Sequence, residues 1–180
     1  MAVGGEVFDT NPEAFYERTV ASTWEASIRE AGAKAALATP MLAIAAYVAP
    51  DAIPRSLFAV LVEGEGPRQR KASADAFGSL HRFSLAEVSG DSISVHRLVQ
   101  KVVRDGAEAR SDSTRPLAAL KALCETFPRD PALPAGWPVC EQLLAHVLAI
   151  GDRWASHWDE SEAMVGILHL ACEYLLHLVP

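Results

Sequence analysis

The stretch Phe83-Ser-Leu-Ala-Glu-Val-Ser-Gly-Asp-Ser-Ile-Ser-Val-His-Arg-Leu-Val-Gln-Lys-Val-Val-Arg104 decides the fold. Phe83, Leu85 and Val88 lead into Ser89-Gly90-Asp91-Ser92, and Ile93 and Val95 lead out. Apolar residues alternating around a Gly-Asp pair predict a short β-hairpin, because the turn needs backbone angles that glycine adopts freely. From His96 the period changes. Leu98, Val99, Val102 and Val103 predict the apolar stripe of a helix that starts near His96 and stops at Gly106. An isolated hairpin is only marginally stable, so this one has to pack on helices.

Helices are predicted upstream. After a loose first ten residues, Asn11-Pro12-Glu13 reads as a helix start, with Asn11 as N-cap and Pro12 at the first position. Val20, Trp24 and Ile28 share one face of that helix, and Gly32 reads as its stop. Thr39 and Pro40 read as cap and first residue of a second helix. Met41, Leu42, Ile44, Ala45 and Val48 cover so much of its surface that it is expected to be buried. The turn Ala49-Pro50-Asp51 precedes a third helix, with Pro54 near its start and Ile53, Leu57, Val60 and Leu61 on one face. Glu63 to Pro67 is a polar loop, and a fourth helix from about Lys71 to His81 buries Ala76, Phe77 and Leu80. Three helices, a hairpin as wing and one more helix describe a winged-helix domain over residues 34–108. Residues 1–33 are its tail and lead-in helix.

Composition shifts after Gly106. Glu108 to Ser113 is polar and reads as a linker. Residues 109–180 then read as an antiparallel α-helical, repeat-like domain. Its first helix, Pro116 to Phe127, carries Leu117, Leu120 and Leu123. A proline-broken loop from Pro128 to Pro138 holds Trp137. Val139 to Arg153 carries Val139, Leu143, Val147 and Ile150 on one side, with Cys140, Leu144 and Leu148 beside them. Ser161 to Leu178 carries Met164, Leu168, Ala171, Leu175 and Leu178, and its apolar residues on several sides predict a further partner. The fold class expected is therefore mainly α, with a two-stranded wing.

The chain has 180 residues, half of them hydrophobic and 22% charged, which suits a folded domain rather than a disordered one. Sixteen Lys and Arg face 23 Asp and Glu, a net charge of −7, the wrong sign for a general binder of phosphate backbones. Cys124, Cys140 and Cys172 are too few for a disulfide scaffold and fit a reducing cytoplasm. The N-terminus, Met1-Ala-Val-Gly-Gly-Glu, has neither a basic start nor an apolar core of a secretion signal. The most apolar run, Met41 to Val48, is too short to span a bilayer. Phosphate-binding glycine motifs, metalloprotease and nucleophile-elbow motifs and C-x-x-C pairs are missing, which argues against an enzyme acting alone.

Four sets of side chains could carry function. His96 stands where a strand hands over to a helix. A neutral imidazole both donates and accepts, so beside free N–H groups it either caps the helix or helps hold a phosphate. Arg68, Arg70, Lys71 and Arg82 cluster on the helix before the wing, the place of a DNA-recognition helix, although Asp75 interrupts them and Glu63 and Glu65 flank them. His169, Glu173 and His177 recur every four residues with Cys172 adjacent, but one helix cannot close a zinc tetrahedron without a donor such as His146 or His157. No metal site is therefore expected. Trp24, Trp137, Trp154 and Trp158 read as core-covering aromatics, with a peptide groove as the alternative.

Val95-His96-Arg97-Leu98-Val99-Gln100 resembles the M-H-D-L-V-Q motif that closes the winged-helix subdomain of STAND ATPases, the NB-ARC type. Other segments agree in order and spacing. Arg18-Thr-Val-Ala-Ser-Thr-Trp24 is similar to the helix that leads into that subdomain in bacterial members, and Leu42-Ala-Ile-Ala-Ala-Tyr-Val-Ala-Pro-Asp-Ala-Ile-Pro54 to its opening. Ala76 to Leu85 is similar to the helix-to-wing passage, and Ala135 to Leu148 to the run that introduces tetratricopeptide repeats. The resemblance spans residues 16–180. It implies a non-catalytic signalling module in which His96 contacts the β-phosphate of ADP and holds a closed state. Arg97 stands where the family has an aspartate that locks the turn. No ADP or ATP site is implied for this chain alone, because the ATP-binding motifs lie in an upstream nucleotide-binding domain. That domain and downstream helical repeats are the implied partners, with no membrane and no nucleic acid. Two alternatives stand beside it: a winged-helix DNA-binding regulator, and a helical protein-interaction scaffold that Leu168 or Leu175 would hold together.

Overall fold

A computed structural model describes residues 12–62, 64, 66–154 and 162–178. Asn11, Glu63, Glu65, His157, Trp158 and Ser161 lie outside the described residues, as do the side chains of Val20 and Trp154. The architecture is mainly helical with one small antiparallel sheet. In chain order the elements are α1 (Pro12–Lys34), α2 (Ala38–Ala45), β1 (Ile53–Pro54), a 3₁₀ helix (Arg55–Leu61), α3 (Pro67–Arg82), β2 (Glu87–Ser89), β3 (Ser92–Ser94), α4 (Arg97–Glu108), α5 (Thr114–Thr126), a 3₁₀ turn (Pro134–Gly136), α6 (Trp137–Trp154) and α7 (Glu162–Leu178).

The hairpin forms where the alternation placed it. Val88 faces Ile93 and Ser89 faces Ser92 across a two-residue turn, and Gly90 takes φ +54° at the first turn position. The sheet, however, has three strands rather than two, in the order β1-β3-β2. Ile53 and Pro54, expected to open a helix, instead pair with Ile93 and Ser92. Pro54 has no N–H to give, and an edge strand is where a sheet tolerates that. Backbone bonds from Val95 to Pro50 (2.8 Å) and from Arg55 to Asp91 (2.9 Å) brace both ends of the strand. The remainder of the expected third helix winds as the 3₁₀ segment, with Leu57 and Phe58 buried.

The hub is α2. Every side chain from Met41 to Val48 is buried, as the near-continuous apolar run requires. Its start differs from the expectation: Leu37 is the N-cap with no side-chain bond, and Pro40 is the third helical residue. Proline is tolerated there because first-turn N–H groups have no partner inside the helix. Gly32 does not end α1. A Cβ at Gly32 would strike Thr39 Oγ1, so glycine lets α1 and α2 approach closely. Phe58 and Phe77 meet edge to face at 5.7 Å, and Ala76, Phe77 and Leu80 of α3 are buried as expected.

Two expected helix boundaries move. Helix α3 starts at Pro67, four residues early, with proline at its first position. Helix α4 passes through Gly106 to Glu108, because Ala107 is buried and holds the last turn down. Its buried stripe is Val99, Val103 and Ala107. Leu98 is instead 48% exposed, lying off that line at the helix start.

The expected linker after Glu108 is a tight turn. Asp112 accepts from the Thr114 N–H (3.1 Å), the Thr114 hydroxyl (2.5 Å) and Arg115 Nε (3.0 Å). Those bonds, the hydroxyl first, hold its carboxyl below the usual carboxylate range. One buried apolar cluster then runs from Ala31 through α2, the sheet and α4 to Ile150 on α6 and Tyr174 on α7. Helix α5 packs on α2 and the first 3₁₀ helix, and α6 touches β1. Residue 108/109 thus marks a turn but no break in packing.

Candidate functional site

His96 is the N-cap of α4. It follows β3 with backbone angles outside the helix, and its Nδ1 accepts from the Leu98 N–H at 3.2 Å. That acceptor role puts the ring proton on Nε2. The ring is exposed, so Nε2–H is a donor open to a ligand. It borders an open cleft of about 930 Å³ with Trp24 of α1, Asp51, His81 at the end of α3, and Arg97 and Leu98. Cap and outward donor are compatible, since each uses a different ring nitrogen. Arg97 is also exposed. Trp24 is partly buried and packs on the core beneath the cleft.

The other sequence candidates separate. Arg68, Arg70, Lys71 and Arg82 are exposed on α3. Among the described residues the histidine row on α7 gains no fourth donor, and His157 lies outside them. His169 and His177 are exposed, whereas His146 is 1% exposed on α6, with Nε2 3.4 Å from the Ala52 carbonyl. Among the described residues no three His, Cys, Asp or Glu side chains converge on a metal position. Burial keeps the His146 imidazole below its ordinary proton affinity, against the opposing pull of the Ala52 and Ala49 backbone. Trp137 closes the proline loop by donating to the Pro131 carbonyl at 3.1 Å. The cysteines are free: Cys140 buried, Cys124 half-buried and Cys172 exposed.

A polar cluster escaped the sequence reading. Helix α2 ends with its carbonyls buried, and three side chains from other helices answer them. Gln100 Nε2 donates to Ala45 (2.7 Å) and Val48 (3.2 Å), Arg104 Nη1 to Ala46 (2.5 Å), and Arg153 Nη1 to Tyr47 (3.1 Å) and Val48 (3.3 Å). Orphan carbonyls at a helix end need such donors, and cations there also meet the negative end of the dipole. The available signal was Gln100, a polar residue inside the stripe of Val99 and Val103. Only the fold shows that Arg153 arrives at the same point from 53 residues away.

No family model, no curated protein and no solved structure matches this chain. No helix among the described residues is long and apolar enough to cross a membrane.

Proposed function

We propose that this chain is a non-catalytic, cytoplasmic switch module of the STAND type, in which a winged helix (β1, β2 and β3 with α2, α3 and α4) closes over a nucleotide held by another domain. The observation that carries the reading is the exposed His96, its Nδ1 engaged by the Leu98 N–H, lining an open cleft at the start of α4. An imidazole N–H at a helix start suits a phosphate oxygen. Trp24 and Arg97 beside it offer stacking and charge to the same ligand. Helices α5, α6 and α7 follow as a repeat-like relay. Because they share a core with the sheet, movement of one part strains the other. The rest of the nucleotide site belongs to a P-loop domain in the same polypeptide or in trans.

The test separates the two jobs of His96. A serine keeps the N-cap but is too short to reach a phosphate. His96→Ser in the ADP-loaded assembly should therefore leave the thermal midpoint of this chain within about 2 °C while speeding ADP release about tenfold or more. Unchanged release in a variant of unchanged stability removes the phosphate contact from the account. A second reading, a protein-interaction scaffold, draws on α7, where Val165 and Leu176 are 63% and 74% exposed. DNA binding rests only on exposed cations of an acidic protein.

A further inference from the structure

A second cleft, of about 550 Å³, opens where the end of α2 meets α4, α5 and α6. Arg104, Arg153, Tyr47, Pro116 and Leu117 line it, together with the carboxylates of Glu108 and Asp112. The carbonyl bonds to Ala46, Tyr47 and Val48 lock both guanidinium groups in place but engage one nitrogen of each. A guanidinium has five N–H donors. Among the described residues the remaining donors of both arginines have no acceptor, and neither arginine forms an ion pair. Tyr47, nine-tenths buried as a residue, also lines the cleft. Burial weakens the hold of both arginines on their protons, and for Arg153 the charges of Arg104 and Arg97 add to it. The cluster thus holds two partly buried guanidinium groups, fixed by backbone carbonyls and with N–H donors to spare.

We propose that this cleft binds a small monocarboxylate with a short apolar body. The carboxylate accepts from the spare N–H groups of Arg104 and Arg153 and from the Tyr47 hydroxyl. The apolar body lies on Pro116 and on Leu117, a leucine left 48% exposed. Planar guanidinium groups suit a planar carboxylate. A doubly charged phosphate suits the cleft less well, because Glu108 and Asp112 repel its second charge. Asp112 is already answered by Thr114 and Arg115, so a single charge is tolerated. The site is separate from the His96 cleft and shares none of its lining residues.

The experiment titrates the complete chain with hexanoate, hexanol and inorganic phosphate at constant ionic strength and reads the thermal midpoint. Hexanoate should raise it by about 4 °C at ten times the dissociation constant and go on raising it with the logarithm of its concentration, as one-site binding requires. Hexanol and phosphate should give no such rise. Leu117→Glu changes a surface position, so it should leave the ligand-free midpoint within about 1 °C and weaken hexanoate at least tenfold. Arg104→Gln, which retains a donor for the Ala46 carbonyl, should weaken it similarly. The proposal is overturned by the absence of a hexanoate shift that follows one-site binding, by an equal shift from phosphate or hexanol, or by undiminished hexanoate binding to Leu117→Glu.

Discussion

The α2 hub and the α6–α7 pair bury apolar surface in opposite ways. Helix α2 is enclosed on all sides, and its polar end is tied off by Gln100, Arg104 and Arg153. Helix α7 buries Met164, Ile167, Ala171 and Tyr174 on one face and leaves Val165, Leu175, Leu176 and Leu178 in the open on others. The hub is a finished core. The pair leaves apolar side chains of both helices exposed, Val139 and Leu148 on α6 as well as those on α7. The His96 cleft sits on the finished side, where a histidine cap can be held rigidly.

The contrast can be broken most directly by core truncation. Leu57→Ala beneath the sheet and Leu143→Ala in α6 each remove a fully buried side chain and should each cost about 2–5 kcal/mol. Because one apolar cluster joins them, both variants should unfold in a single transition by calorimetry and by tryptophan fluorescence. Two separated transitions would mean that the hub and the helical pair are independent after all. Next in size is the α2 end. Gln100→Leu takes from the Ala45 carbonyl its side-chain donor, leaves Val48 with Arg153 alone, and should cost about 1–3 kcal/mol in urea unfolding. A smaller loss would show that the arginines alone satisfy that end.

His146 ties α6 to the residue before β1, and its effect depends on pH. Folding lowers its proton affinity, so the unfolded chain binds the extra proton. Its contribution is complete above the unfolded histidine pKa of about 6.5 and is lost as pH falls through the lower folded value. The slope from this one group is at most about 1.4 kcal/mol per pH unit, and His146→Gln should flatten it in urea titrations between pH 7 and pH 5. An unchanged slope would assign the acid sensitivity elsewhere. The smallest effect on folding belongs to the open face. Leu176→Lys should change stability by less than about 0.5 kcal/mol, yet abolish any concentration-dependent association seen in sedimentation. Persistent association would move the interface off α7.

Several errors of the sequence reading share a cause. For α7, Met164 and Ala171 of the apolar set are buried and Leu168 packs on the core, while Leu175 and Leu178 are exposed and Ile167 and Tyr174 complete the packed face. Both pairs satisfy helical periodicity. Contact with α5 and α6 chose between them. Likewise Val139 and Leu148 were expected inward on α6, yet stay exposed where no element covers them. At His96 the reading fared better, because both neighbours in the chain, a strand and a helix, fix where a cap residue stands.

What the amino-acid order determined alone was local: the hairpin around Gly90, the burial of the α2 run, and the place of His96 at a strand-to-helix junction. These follow from turn chemistry, apolar density and capping, which act within a few residues. The third strand, the shared core and the convergence of Tyr47, Arg104 and Arg153 needed tertiary structure. Residues such as Ile53 and Ile93, or Tyr47 and Arg153, meet only after intervening helices have packed. A short apolar pair like Ile53 and Pro54 does not reveal whether a helix or a strand edge will take it.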